Sequence, residues 1–213
     1  MKICSVEGCG RKYKSNGYCQ KHYDQIRHYG QIKKRTTRDP NEIIVEDQIC
    51  RMFLYDKNSI KISETIFDLK YKNIIEKGKW HLNHFNYVET KWYDNNCQHQ
   101  INLHNIIIKL SGQEVSDGFI IDHKDGNTLN NLEENLRICT FSQNQYNSKI
   151  RKDNKSGYKG VYFDNNHNIW VSQIVTEKIQ IYLGSFDDPK DAAKAYNDAA
   201  IEYHGEFAVL NKI

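Results

Sequence analysis

Proline is scarce here, with two in 213 residues. Together with 38% hydrophobic residues, that argues against a Pro-rich linker or a disordered chain. Long apolar runs are missing too. None approaches the roughly 20 residues that a membrane helix needs, and the opening Met1-Lys2-Ile3-Cys4 carries no apolar signal-peptide core. A membrane protein and a conventionally secreted one are therefore not expected, and an intracellular location is. A disulfide framework is also lacking. Cys4, Cys9 and Cys19 crowd the first 20 residues, while Cys50, Cys97 and Cys139 are scattered and read as ordinary core thiols. No long internal repeat is present.

The formal charge of +3 conceals two basic segments. Residues 1–38 hold ten Lys/Arg against two acids, and residues 149–159 hold five against one. The stretches 39–148 and 160–213 are mildly acidic. Basic runs on an acidic chain suit a nucleic-acid binder, although solvated linker lysines give the same pattern.

Local signals predict an α+β chain of several small units. A Cys/His knot over 1–30 ends in a short helix over 22–29. A basic linker follows over 31–44. A small β region over 45–100 is expected from β-prone pieces at 52–55, 60–62, 79–81 and 87–92, separated by turn residues. Trp80 and Trp92 read as its core. The run 103–110 is apolar enough for a strand or a buried helix, and its length does not decide between them. Residues 118–150 read strand, long loop, strand, helix, with Thr140 and Gln143 as a capping box. After a linker over 151–156, three strands are expected at 158–163, 169–175 and 180–186. A helix then opens on Asp188 and Pro189, carries alanines on one face and stops at Gly205.

Cys4, Cys9, Cys19 and His22 offer four soft or borderline donors, a number and spacing suited to tetrahedral Zn²⁺. A 30-residue segment has almost no core, so a metal would supply its folding energy. His28 is an alternative to His22, nine residues beyond Cys19.

The sharpest motif is Asp122-His123-Lys124-Asp125-Gly126-Asn127, followed by Asn130-Asn131, Glu134-Asn135-Leu136-Arg137, Thr140 and Asn144. It resembles the HNH nuclease motif, the ββα-metal fold of phage and intron homing endonucleases, over about 101–150. The resemblance implies phosphodiester hydrolysis with His123 as the base for water. It implies Asp122 and Asn144 as ligands of Mg²⁺ or Mn²⁺, and Asn135 as the tie between loop and hairpin. The residue types suit that chemistry, because a base must activate water and hard oxygen ligands must hold a hard cation. Asn147, one helical turn on, competes with Asn144. Leu103-His104 looks like the family's lead-in strand.

Gly157-Tyr158-Lys159-Gly160-Val161, Trp170, Tyr182-Leu183-Gly184-Ser185-Phe186 and the alanine-rich helix resemble an APETALA2/ethylene-response-factor DNA-binding domain over about 156–211. That family lays a three-stranded sheet in the major groove. Plant members read DNA with sheet arginines, and this chain has no arginine after Arg151. Lys159, Tyr162, Trp170, Gln173, Lys178 and Gln180 remain as readers, with Trp170 equally suited to sheet packing. Arg151, Lys152 and Lys155 would meet the backbone.

These readings converge on a modular, site-specific homing-type DNA endonuclease. Its units are a zinc knot (1–30), a β region (45–100), an HNH hairpin (101–150) and a sheet domain (157–211). Double-stranded DNA is the expected partner, with no membrane and no obligate protein partner. The resemblance implies a phage or mobile-element gene and the host cytoplasm. A DNA-binding regulator with an inactive hairpin is the alternative.

Overall fold

The computed structural model describes residues 2–32, 35–37, 39–95 and 97–213. Lys33, Lys34 and Arg38 of the basic linker lie outside the described residues. The fold mixes α and β elements in several small sheets.

The first 30 residues turn on themselves through a bridge between Ile3 and Lys12 and end in α1 (Gln20–Tyr29). Gly30 closes that helix in the left-handed region, its N–H donating to the Ile26 carbonyl. Two antiparallel three-stranded sheets follow. The first is β1 (Ile43–Glu46), β2 (Ile49–Tyr55) and β3 (Lys61–Asp68). Alternate residues of β2, namely Cys50, Met52 and Leu54, are fully buried, as period-two patterning requires. A 3-10 turn and the single turn α2 (Lys72–Ile75) lead to β4 (Trp80–Leu82), β5 (Val88–Asp94) and β6 (Cys97–Asn102).

β6 carries no apolar alternation and was not foreseen. Its pairing with the outer half of β5 makes a ribbon exposed on both faces. Two expectations fail on that ribbon. Trp92 is exposed and stacks on His99 across the strands, with ring centres 5.3 Å apart, and Cys97 is exposed rather than a core thiol. Trp80, Cys50 and Cys139 are buried as expected.

The apolar run becomes a helix, α3 (Leu103–Leu110). Leu103 and His104 are its first turn, not a lead-in strand. The buried positions Leu103, His104, Ile107 and Ile108 form one helical stripe, which a strand would have split between two faces. That stripe packs into one core with Met52, Leu54, Phe67, Ile75, Trp80, Val88 and Leu136. The expected boundary at 100/101 therefore cuts through a core, since the β region and the hairpin share one.

The hairpin is β7 (Phe119–His123) paired antiparallel with β8 (Leu136–Thr140). The loop between them is fastened to β3. Ile66 N donates to the Leu129 carbonyl at 3.0 Å, and Asn131 N donates to the Ile66 carbonyl at 2.9 Å. α4 (Phe141–Tyr146) opens with the expected capping box: Gln143 N donates to Thr140 Oγ1, and Thr140 N to Gln143 Oε1.

The C-terminal unit is the antiparallel sheet β9 (Val161–Asp164), β10 (Ile169–Thr176) and β11 (Ile179–Phe186), with α5 (Pro189–His204) packed on one face. Asp188 caps α5, accepting from Lys190 N at 2.7 Å. Ala192, Ala193, Ala199 and Ala200 are buried, so the helix lies close on the sheet. Gly160 shows how close. Its φ is +76°, and a Cβ there would sit 2.0 Å from the Tyr196 ring and 2.6 Å from the Gln173 carbonyl. No helix among the described residues is long and apolar enough to cross a membrane.

Candidate active site and flanking binding surfaces

β7 delivers Asp122 and His123 side by side at its end, and both are buried, at 6% and 3% exposure. Adjacent strand residues point to opposite faces, so the two are held by different neighbours. A cavity of about 310 Å³ reaches both and is lined further by Tyr87, Asn144, Asn147 and Lys149.

Antiparallel register sets Arg137 directly opposite Asp122. Arg137 Nε donates to Asp122 Oδ2 at 2.9 Å, and a terminal nitrogen reaches the same oxygen at 2.9 Å. From α4's end, Asn147 Nδ2 donates to Asp122 Oδ1 at 3.1 Å, to Oδ2 at 2.9 Å and to the His123 carbonyl at 2.9 Å. Of the two competing asparagines, Asn147 is thus the one in contact with Asp122. Asn144 lines the same cavity.

His123 is oriented from the other side. Its Nε2 lies 3.3 Å from Asn131 Oδ1. Asn131 Nδ2 donates to Thr65 Oγ1 at 2.9 Å and to the Thr128 carbonyl at 3.2 Å. Thr65 gives its own hydrogen to the Leu129 carbonyl at 2.8 Å, so toward Asn131 it accepts. This chain fixes which end of the Asn131 amide faces the ring. Nε2 therefore carries the proton, and Nδ1 is the basic nitrogen. Burial holds the His123 pKa below the ordinary histidine value, against the contrary pull of Asn131, Asp125 and Asp122. His104 packs edge-on against the ring at 5.2 Å, and burial lowers its own pKa to about 3. Burial thus favours the neutral form of both rings.

Asn135 sits where the motif expects a tie. Its Nδ2 donates to Asp125 Oδ1 at 3.0 Å and to the Asn130 carbonyl at 2.8 Å, and its Oδ1 accepts from Asp125 N at 3.1 Å. Sequence reasoning gave no role to Arg137 or Asn131, although both stand inside the motif. The signal for Arg137 was its register opposite Asp122. Asn131 could not be read, because its partner Thr65 is 66 residues away.

At the N-terminus, the ligand atoms of Cys4, Cys9, Cys19 and His22 all lie within 4.8 Å of one another. His22 Nδ1 is 3.2 Å from Cys4 Sγ and 3.6 Å from Cys19 Sγ. Burial pushes the Cys4 thiol up, but hydrogen bonds led by His22 outweigh it and bring the thiol down to about 6. His28 takes no part in the cluster and sits edge-on to Tyr29. Thiolates and an imidazole at this spacing suit a tetrahedral metal.

On the C-terminal sheet, cross-strand pairing puts Tyr162, Gln173, Gln180 and Tyr182 on the face away from α5. Arg151, Lys155, Tyr162 and Gln173 line one groove of about 680 Å³, and Lys152 is exposed beside it. Lys178, at the β10–β11 turn, lines a separate groove against α4. Two expected readers are engaged within the fold. Trp170 lies on the α5 side, packed with Val161, Ala192 and Ala193. Lys159 turns inward, where Nζ donates to the Tyr146 and Ser148 carbonyls at 2.6 Å and caps the end of α4. Burial lowers its pKa to about 8. Tyr182, 64% exposed on the same sheet face, was not among the expected readers.

The sequence profile of the HNH endonuclease family matches residues 102–146. An uncharacterized HNH endonuclease of Acanthamoeba polyphaga mimivirus is 30% identical over 182 residues, covering 84% of this chain and 90% of that protein. The chain belongs to the HNH endonuclease family. This HNH endonuclease is accordingly a hydrolase acting on DNA phosphodiester bonds. A protein of Oryza sativa subsp. japonica named for AP2/ERF and B3 domains is 40% identical to this chain over 57 residues. That match covers 27% of this chain and 18% of the rice protein. A solved structure titled for DNA binding and cleavage by the HNH homing endonuclease I-HmuI aligns at a TM-score of 0.31 and 16% identity, over 66% of this chain and 84% of that one.

Proposed function

We propose that this HNH endonuclease cuts double-stranded DNA at a preferred site, with His123 as the general base. The observation that carries this is a buried His123 whose Nε2 faces the Asn131 amide oxygen at 3.3 Å, in one cavity with the Asp122 carboxylate. His123 Nδ1 takes the proton of a water molecule as its oxygen bonds to phosphorus. The bond from phosphorus to the leaving sugar oxygen breaks, and that oxygen gains a proton from solvent. Asp122 and an amide oxygen of Asn144, or of Asn147 after its amide turns, are hard donors that fit Mg²⁺ or Mn²⁺. Such an ion would neutralise charge on the leaving oxygen. Asn135 keeps the Asp125 turn closed against the hairpin.

Lys149 stands on the cavity rim, its stem 3.1 Å from where a Gly126 Cβ would be, and would face the phosphate. The sheet face bearing Tyr162, Gln173, Gln180 and Tyr182 would read the major groove, which a β-ribbon fits. Arg151, Lys152 and Lys155 would hold the backbone. The Cys4, Cys9, Cys19 and His22 cluster would hold a structural Zn²⁺.

The test is Mg²⁺-dependent nicking of supercoiled plasmid. His123→Ala should slow the single-turnover rate by about 10²–10⁴-fold while DNA affinity stays within a few fold. Nicking by His123→Ala at the wild-type rate would overturn the assignment. A wild-type protein that binds DNA and never nicks it would favour the regulator reading.

A further inference from the structure

Arg137 divides its guanidinium between two parts of the chain. One side grips Asp122 Oδ2 through two nitrogens at 2.9 Å. The remaining terminal nitrogen donates to the Glu206 carbonyl at 2.9 Å, 69 residues away in sequence, with the Glu206 carboxylate at 3.5 Å. The guanidinium carbon also lies 3.7 Å from the centre of the buried Phe207 ring. The Arg137 side chain is only 10% exposed. Glu206 and Phe207 belong to the turn that ends α5, so the C-terminal unit supplies the far anchor.

Other contacts hold the C-terminal unit against α4. The Tyr146 and His204 rings stack at 3.8 Å and 7°, and Glu177 N donates to the Tyr146 hydroxyl at 2.7 Å. A guanidinium is a rigid planar fork, and fixing its far edge fixes the direction from which its near edge meets a carboxylate. Both near contacts fall on Oδ2, so the fork sets the rotation of the Asp122 carboxylate from the side opposite Asn147, whose Nδ2 donates to Oδ1 at 3.1 Å.

We propose that the C-terminal unit completes the active site as well as addressing it: the turn at Glu206 and Phe207 fixes Arg137, and Arg137 sets the Asp122 carboxylate for its divalent cation. Arg137 is a positioning residue, and Phe207 positions it in turn. This rests on reading Asp122 as a cation ligand. It follows that a hairpin severed from the C-terminal unit binds the cation poorly, even on DNA that needs no address.

The experiment uses the full-length, zinc-loaded protein and its variants Arg137→Ala, Arg137→Lys, Phe207→Ala, Phe207→Tyr and Asp122→Asn. Mn²⁺ affinity is read by calorimetry without DNA, DNA affinity with the cation chelated, and folding of the C-terminal unit by hydrogen exchange. Arg137→Ala and Phe207→Ala should each weaken Mn²⁺ binding by about 10–100-fold, as outer-shell losses do. DNA affinity should stay within a few fold, and Phe207→Tyr, which keeps the ring, should restore Mn²⁺ binding. Unchanged Mn²⁺ affinity in Arg137→Ala and Arg137→Lys, with Asp122→Asn impaired, would overturn the brace and spare the ligand. Unchanged affinity in Asp122→Asn would overturn the ligand reading beneath it.

Discussion

The N-terminal knot and the catalytic hairpin each gather polar donors around a candidate metal, and they hold them by opposite means. The knot takes all four donors from within 19 residues of one another, and among its described residues the buried core members are two of those donors, Cys4 and Cys19. The hairpin borrows from both sides. His123 is oriented through Asn131 by Thr65 of β3, and Asp122 is gripped by Arg137, which reaches to Glu206. A metal can replace a core where the donors are local. Where the donors must also do chemistry, packed neighbours fix their rotation beforehand.

Three experiments would break or sharpen that contrast. The largest effect belongs to zinc, since such sites contribute about 10–16 kcal/mol of binding energy. Elemental analysis should find about one Zn²⁺ per chain, lost when Cys4 and Cys19 both become Ser. Hydrogen exchange should then show residues 2–30 unprotected and residues 43–211 unchanged. An ordered knot in metal-free protein would end the comparison.

Acid comes next. His104 is neutral in the fold down to about pH 3, whereas unfolded it takes a proton below about 6.5. The folded state therefore binds fewer protons in that window. Stability is full above pH 6.5 and declines as pH falls toward 3, by up to about 1.4 kcal/mol per unit. Denaturant melts between pH 7 and pH 4 should show the decline in wild type and a shallower one in His104→Phe. Replacing Cys4 and Cys19 should leave the slope intact, because it belongs to the hairpin's core.

The smallest effect tests the Thr65 link. Thr65→Val keeps shape and removes the acceptor for Asn131 Nδ2, which should cost about 1–3 kcal/mol in a urea melt. The single-turnover rate should fall further than DNA affinity. A Thr65→Val enzyme of unchanged rate would show that Asn131 holds His123 without help from β3.

What could be read from the sequence was local. The capping box at Thr140 and Gln143, the Asp188-Pro189 start of α5 and the choice of His22 over the distant His28 all depend on residues within a few positions of each other. Asp122 and His123 were legible because their motif is contiguous. Legibility failed where the deciding partner was remote. Leu103–Leu110 is too short for periodicity to choose helix over strand, and its burial stripe exists only once β2 and β3 pack on it. Lys159 looked like a surface cation until the end of α4 turned out to lie over it. Trp92 was placed in the core and is exposed, and Trp170, equally suited to packing and to DNA contact, packs under α5, because strand direction and sheet edges are tertiary facts.

The bond from Arg137 to Glu206 ends on a main-chain carbonyl, which every amino acid possesses. Residue 206 can therefore change without loss of the bond, provided the turn after α5 keeps its course. Of the two side chains in that turn that reach Arg137, the buried Phe207 ring under the guanidinium matters more than the exposed Glu206 carboxylate at 3.5 Å. A different three-stranded sheet, grafted with a helix of the same length and an aromatic residue after its closing turn, would present the same brace. Site preference could then drift or be exchanged while the cutting machinery stays the same.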